Sequence, residues 1–217
     1  MTISSKNHDD FLQHLDDESE RGMILIYATA LEVQLANLLW QSFEQSKHAE
    51  KTAIKPLFAS MAPLSSFSAK IKMSYALNLI TKTQFNNLER IRAIRNIAAH
   101  EQQPTTFQSE KINKICEKLE EAEQALEKIF DDIPNEKKRF EINSELAKCG
   151  SKELSDKKNQ QLMVAKKAWV ERYRFEAVAT FMVGGLAAVN DFLREQKKYG
   201  ADALMIVSKM HRKTQDD

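Results

Sequence analysis

Residues 84–100 read QFNNLERIRAIRNIAAH, and the spacing of their apolar side chains predicts an amphipathic helix. Leu88, Ile91, Ile94 and Ala98 recur at three- and four-residue intervals, the period of one buried helix face. At about 100° per residue, Arg92, Asn96 and His100 fall on one stripe, and Arg95 sits on its flank. Arg90 precedes them in the same helix. Thr81 or Thr83 is placed to cap the helix start, where a side-chain oxygen can take an orphan N–H. A cation, an amide and an imidazole are thereby gathered near one helix end.

The same period continues on both sides of this stretch. A short entry helix is expected over 9–16. A long one follows from Ser19 to about Gln45, with Ile24, Ala28, Leu31, Leu35, Leu38 and Leu39 facing inward. A short helix over 49–58 is stopped by the loop containing Pro63, and another spans Ser66 to Ile80. After Pro104 a highly charged helix is expected over 109–130. Ile112, Ile115, Leu119, Ala122, Leu126 and Ile129 form its apolar side, and alternating Lys and Glu form a solvated face. Residues 132–159 are the least regular stretch, read as a charged, weakly ordered excursion. A final long helix is expected over 160–198, apolar from Val178, with a short amphipathic tail over 199–217. Gly184-Gly185 would let another backbone approach that helix closely. The fold expected is all-α: a helical bundle with a core over 1–131 and a long C-terminal helix packed on it.

Composition agrees with helices and limits the partners. Five glycines and four prolines in 217 residues leave little material for hairpin turns. Lys plus Arg number 32 and Asp plus Glu number 31, a net charge of +1. No overall field draws the chain to nucleic acid, so any such contact must come from a local patch. Cys116 and Cys149 show neither metal-ligand spacing nor a disulfide framework, which fits a reducing cytoplasm. The N-terminal stretch is polar and acidic, unlike a signal peptide. The longest apolar run, 177–189, falls short of the ~20 residues of a membrane span. Neither a cofactor nor a metal is expected.

Two further positions stand out. Glu32 lies on the otherwise apolar 28, 32, 35, 39 stripe, where a carboxylate is costly unless paired. The expected partner is an arginine of the 84–100 helix, Arg95 or Arg92. In the segment 63–70, Ser66 and Ser68 stand at a helix start with Lys70 in its first turn, where the helix dipole disfavours a cation. Lysine together with free N–H groups could hold an anion such as a phosphate.

The stretches PLSSFSAKIKMSYALNLI (63–80), RAIRNIAAH (92–100) and DDESERG (16–22) resemble the mannitol operon repressor family. Separately, Arg95-Asn96-x-x-x-His100 is similar to the motif of HEPN-superfamily ribonucleases, many of them toxins in toxin–antitoxin and phage-defence systems. That second resemblance implies an all-α dimer in which arginine, a polar residue and histidine line a cleft between protomers. Residues 11–103 carry the repressor resemblance well, and the final helix carries it loosely.

The chemistry of the motif can be argued alongside. Metal-free RNA cleavage needs a base, an acid and positive charge against a crowded phosphorane. Histidine serves as base or acid near neutral pH, and arginine forks onto phosphate oxygens. Asn96 would orient the imidazole or a phosphate oxygen. One His and one Arg per chain are thin for three tasks, and a two-fold dimer supplies two of each. The reading placed first is therefore a cytoplasmic, metal-independent endoribonuclease. Arg95, Asn96 and His100 are its catalytic residues, Glu32 and Arg92 its supports, RNA its substrate, and an antitoxin or other regulatory protein its partner. The second is a non-catalytic regulator of transcription resembling the mannitol repressors and acting through protein contacts. No compact helix-turn-helix with a basic second helix stands out, which argues against direct DNA binding in either case.

Overall fold

A computed structural model of the chain describes residue 15 and residues 18–45, 51–101, 105–122 and 171–195. Among these the secondary structure is entirely helical. The helices are α1 (Glu20–Gln45), α2 (Lys51–Ile54) with a 3₁₀ turn at Lys55–Phe58, α3 (Phe67–Ala76), α4 (Lys82–His100) and α5 (Glu110–Cys116). The stretch Glu171–Glu195 forms α6. The all-α bundle expected from the periodicity is the fold observed. The excursion at 132–159, the tail at 199–217 and most of the 9–16 entry helix lie outside the described residues.

Helix starts follow local chemistry. Ser19 Oγ accepts from Gly22 N at 3.0 Å, and Ser19 O accepts from Met23 N at 2.8 Å, which fixes where α1 begins. The Glu18 carboxylate lies over Gly22, where a Cβ would displace that flexible side chain. Thr81, rather than Thr83, caps α4. Its hydroxyl accepts from Gln84 N at 3.2 Å while Gln84 Oε1 accepts from Thr81 N at 2.9 Å, a reciprocal capping box.

Two helices are shorter than their periodicity suggested. The helix expected to reach Ile80 ends at Ala76, where Asn78 turns the chain with φ 54. Asparagine tolerates that left-handed conformation, and its N–H still finds Tyr75 O at 3.0 Å. The helix expected to run from Ser109 to Phe130 ends at Cys116. Glu121 adopts a left-handed backbone conformation, φ 60, a few residues beyond that end, and 123–130 lie outside the described residues.

Helix α1 is the central member. It packs on α3 and α4, which also pack on each other, and α5 lies against α4. Its buried face carries all six apolar residues expected there, and α4 buries Leu88, Ile91, Ile94 and Ala98. Helix α6 completes the core alongside α1. Tyr27 Oη and Thr180 Oγ1 lie 2.7 Å apart, and Gln41 donates to Asn190 Oδ1 at 2.9 Å. Asn190 in turn donates to Gln34 Oε1 at 2.8 Å. Because Tyr27 meets Thr180 and the later Gln34 and Gln41 meet Asn190, α1 and α6 run in the same direction. Phe175 closes the core against Tyr27 and Phe107, with ring centroids at 6.0 and 5.6 Å.

Judged as whole helices rather than unbroken apolar runs, α1 and α6 are long and apolar enough to cross a membrane. About half of each apolar window, 56% and 50%, is buried inside the bundle, as in helices that build a core.

Candidate functional site

The capping box at Thr81 and the buried row from Leu88 to Ala98 set the rotation of α4, and with it the direction of the polar residues. Arg92, Arg95 and Asn96 are half-buried, and His100 is exposed at the last helical residue. The α4 stripe read from the sequence is therefore presented on the outer side of the bundle.

Its members are not equivalent. Arg92 Nη2 lies 2.7 Å from Glu89 Oε2, one turn back, so its charge is neutralised within the helix. Arg95 Nη1 donates to Asn96 Oδ1 at 3.3 Å, a long bond to a neutral acceptor. That bond occupies the amide oxygen expected to orient His100. Among the described residues no hydrogen bond or ion pair holds the imidazole.

Glu32 does find a cation, though not an arginine. Lys70 Nζ donates to Glu32 Oε1 at 2.6 Å and to Ser65 O at 3.1 Å. The correction has a geometric cause. Residue 32 faces α3, and the four-carbon lysine stem reaches back from the first turn of α3 to meet it, whereas Arg92 is spent on Glu89 and Arg95 on Asn96. The same contact bears on the anion site expected at Ser66, Ser68 and Lys70. The Lys70 side chain is 9% exposed and turned toward Glu32, and Ser66 Oγ is taken by Ala69 N as the α3 N-cap. The positive charge expected for a phosphate is already matched by a carboxylate.

Two features were missed at the sequence level. Arg21 donates to Glu101 O at 3.3 Å and to Ala99 O at 3.4 Å, so a residue from the start of α1 caps the C-terminal carbonyls of α4. The only signal was an arginine after an acidic run, and nothing local linked it to residues 78 and 80 positions away. The second is a clamp between α4 and the turn that follows α5. Asn87 Nδ2 donates to Glu120 O and Asn87 Oδ1 accepts from Glu120 N, both at 2.9 Å. Arg90 Nη1 and Asn86 Nδ2 each donate to Glu120 Oε1, also at 2.9 Å. These bonds hold the Glu120 carboxyl below the usual carboxylate range, with Arg90 the larger cause and Asn86 next. Beside the clamp lies an open groove of about 360 Å³, lined by Asn86, Glu89, Arg90, Ala93, Ile115 and Lys118.

Comparison with known proteins bears on what this surface serves. A family model described as mannitol repressor matches residues 7–166, nearly three quarters of the chain. Two curated relatives, both mannitol operon repressors, come from Escherichia coli strain K12 and from Escherichia coli O6:H1 strain CFT073. Each is 30% identical over 102 residues, 46% of this chain and 52% of the relative. The chain thus spans about half the length of the curated relatives it matches. In three dimensions it is similar to a chain in the X-ray structure of the MtlR–HPr complex from Escherichia coli. The TM-score is 0.60 at 18% identity, covering 84% of this chain and 99% of that one; at that identity the likeness is one of fold.

These matches correct the reading placed first. All of them fall on mannitol repressors and none on a ribonuclease, so the endoribonuclease, toxin and phage-defence expectations are set aside. The physical reason is that Arg95-Asn96-x-x-x-His100 is a short pattern, and an amphipathic helix end meets it without any catalytic requirement.

Proposed function

The chain belongs to the mannitol repressor family, and from that premise we propose that it is a non-catalytic regulator of transcription acting in the cytoplasm through a protein partner. The family match supports a regulatory role. The solved relative, captured as a complex with HPr, supports a partner of that kind for this chain. The observation that carries the reading is the C-terminal half of α4, which presents half-buried Arg95 and Asn96 and exposed His100 at the surface of a helix capped at both ends.

Direct DNA reading fits the same surface poorly. Helices α3 and α4 are joined by a short loop, as in a helix-turn-helix, but Arg90 and Arg92 are engaged by Glu120 and Glu89. Reaching base edges would require breaking both pairs. A net charge of +1 adds no general attraction to phosphate.

The test uses the purified full chain, the HPr of the same organism and operator DNA. Chain and HPr should co-elute as a complex, and a mannitol-promoter reporter should respond to the chain only when HPr is present. Tight sequence-specific DNA binding by the chain alone, with repression indifferent to HPr, would overturn the reading.

A further inference from the structure

The groove beside the Glu120 clamp is built from two elements. Asn86, Glu89, Arg90 and Ala93 recur at three- and four-residue intervals, so they line it from one face of α4. Ile115 and Lys118 line it from α5 and the turn beyond, where Lys118 N donates to Ile115 O at 3.1 Å and fixes the turn that carries the lysine. Its volume of about 360 Å³ lies at the small end of ligand pockets, and half-buried Ala93 and Ile115 supply the apolar part of the lining.

The polar part is only partly engaged. Arg90 bonds through Nη1 alone, to Glu120 Oε1 and Asn87 Oδ1, which leaves Nε and Nη2 as donors. Asn86 gives Nδ2 to Glu120 and keeps Oδ1 as an acceptor. Lys118 Nζ makes no hydrogen bond or ion pair among the described residues. Glu89 uses Oε2 for Arg92, while its Oε1 is buried and has no hydrogen-bond partner. The terminal torsion of a glutamate is soft, so a small turn brings that oxygen to an incoming donor.

Donors and acceptors are therefore mixed along the groove, and the charges around it are matched. Arg90 is balanced by Glu120 and Glu89 by Arg92, and Lys118 stands between Glu117 and Glu121 in the sequence. A small ion of either sign gains little in such surroundings. A hydroxyl both donates and accepts, so a neutral ligand with several hydroxyls suits the polar groups, and its C–H backbone suits Ala93 and Ile115.

We propose that the groove between α4 and α5 binds a neutral polyol. The proposal rests on the regulatory reading above, to which it adds a small-molecule effector. The curated relatives are repressors of a mannitol operon, which makes mannitol the probe to use.

The ¹⁵N-labelled full chain is titrated with mannitol and, separately, with inorganic phosphate. Mannitol should shift the amides of Asn86, Glu89, Ala93 and Lys118 with a Kd of about 1 mM, the strength expected of a ligand of about twelve heavy atoms, and phosphate should leave them in place. Asn86 and Arg90 also hold Glu120, so two other variants decide the matter. Ala93→Phe fills the groove without removing a hydrogen bond and should abolish binding. Lys118→Met keeps the aliphatic stem, removes the donor and should weaken binding roughly three- to tenfold. Lys82→Met, in the first turn of α4 and outside the groove, should leave it unchanged. Shifts confined to other residues, no binding well above millimolar concentration, unchanged affinity in Ala93→Phe, or phosphate displacing mannitol from the same residues would each overturn the proposal. HPr-dependent repression with no polyol binding would sink the groove site and leave the regulatory reading standing. Polyol binding at the groove with HPr-independent repression would do the reverse.

Discussion

Lys70 Nζ stands 2.6 Å from Glu32 Oε1, with the lysine side chain 9% and the glutamate 26% exposed. This pair links the middle of α1 to the first turn of α3 and accounts for a carboxylate on an otherwise apolar stripe. Removing one partner leaves the other charge half-buried. Glu32→Gln and Lys70→Met should each cost about 2–3 kcal/mol, below the ~3–5 kcal/mol of a fully buried pair because water reaches Glu32. Urea unfolding of both single variants and the double variant gives the coupling. A coupling energy near zero would show that the two charges do not depend on each other.

The Glu120 carboxyl, bound by Arg90 and Asn86, has a folded pKa below its unfolded value. Its contribution to stability is therefore fully present above the unfolded value, about 4.3, and is lost as pH falls through the folded one. Glu120→Gln should remove that part of the acid sensitivity while keeping the backbone bonds to Asn87. Urea midpoints measured between pH 3 and 7 should show a shallower acid limb for the variant. Parallel limbs would count against the arrangement.

Burial pushes the Cys116 thiol well above its ordinary range, and the neighbouring Glu171 carboxylate adds to the shift. Thiolate is the reactive form. In a Cys149→Ser background, Cys116 should resist a thiol reagent at pH 8 in the native chain and react fully after unfolding. Rapid native labelling would mean that α5 opens or packs differently.

Val189 and Phe192 are exposed on α6, 45% and 57%, and a Cβ added at Gly185 would meet nothing within 4 Å. A helix face of this kind suits close approach by a second copy, so a homodimer at micromolar concentration is expected. Phe192→Asp should shift sedimentation toward monomer without unfolding the chain, since the ring lies outside the core. A wild-type chain that sediments as a monomer would remove the dimer expectation.

Much of the bundle was legible in the sequence because its causes are local. Ser19, Ser66 and Thr81 mark helix starts through hydrogen bonds to residues three positions on, and the apolar rows of α1 and α4 repeat at the helical period. Helix ends were less legible. Asn78 and Glu121 turn the chain through left-handed backbone conformations, and an apolar pattern runs through such positions without marking them. The stripe at Arg92, Asn96 and His100 could be drawn in advance, because it needs only helix geometry. Its purpose could not, because a six-residue pattern suits several functions.

The sequence by itself determined the helical class, the identity of the core faces and the placement of a polar group at the end of α4. Each depends on residues within a few turns of one another. Only the tertiary structure decided which charges would be matched. Glu32 meets Lys70 rather than an arginine, Arg90 meets Glu120, and Arg21 reaches the carbonyls of α4 from the start of α1. Charge pairing depends on distances of a few ångströms between side chains 30 to 80 positions apart, and no periodicity along the chain records them.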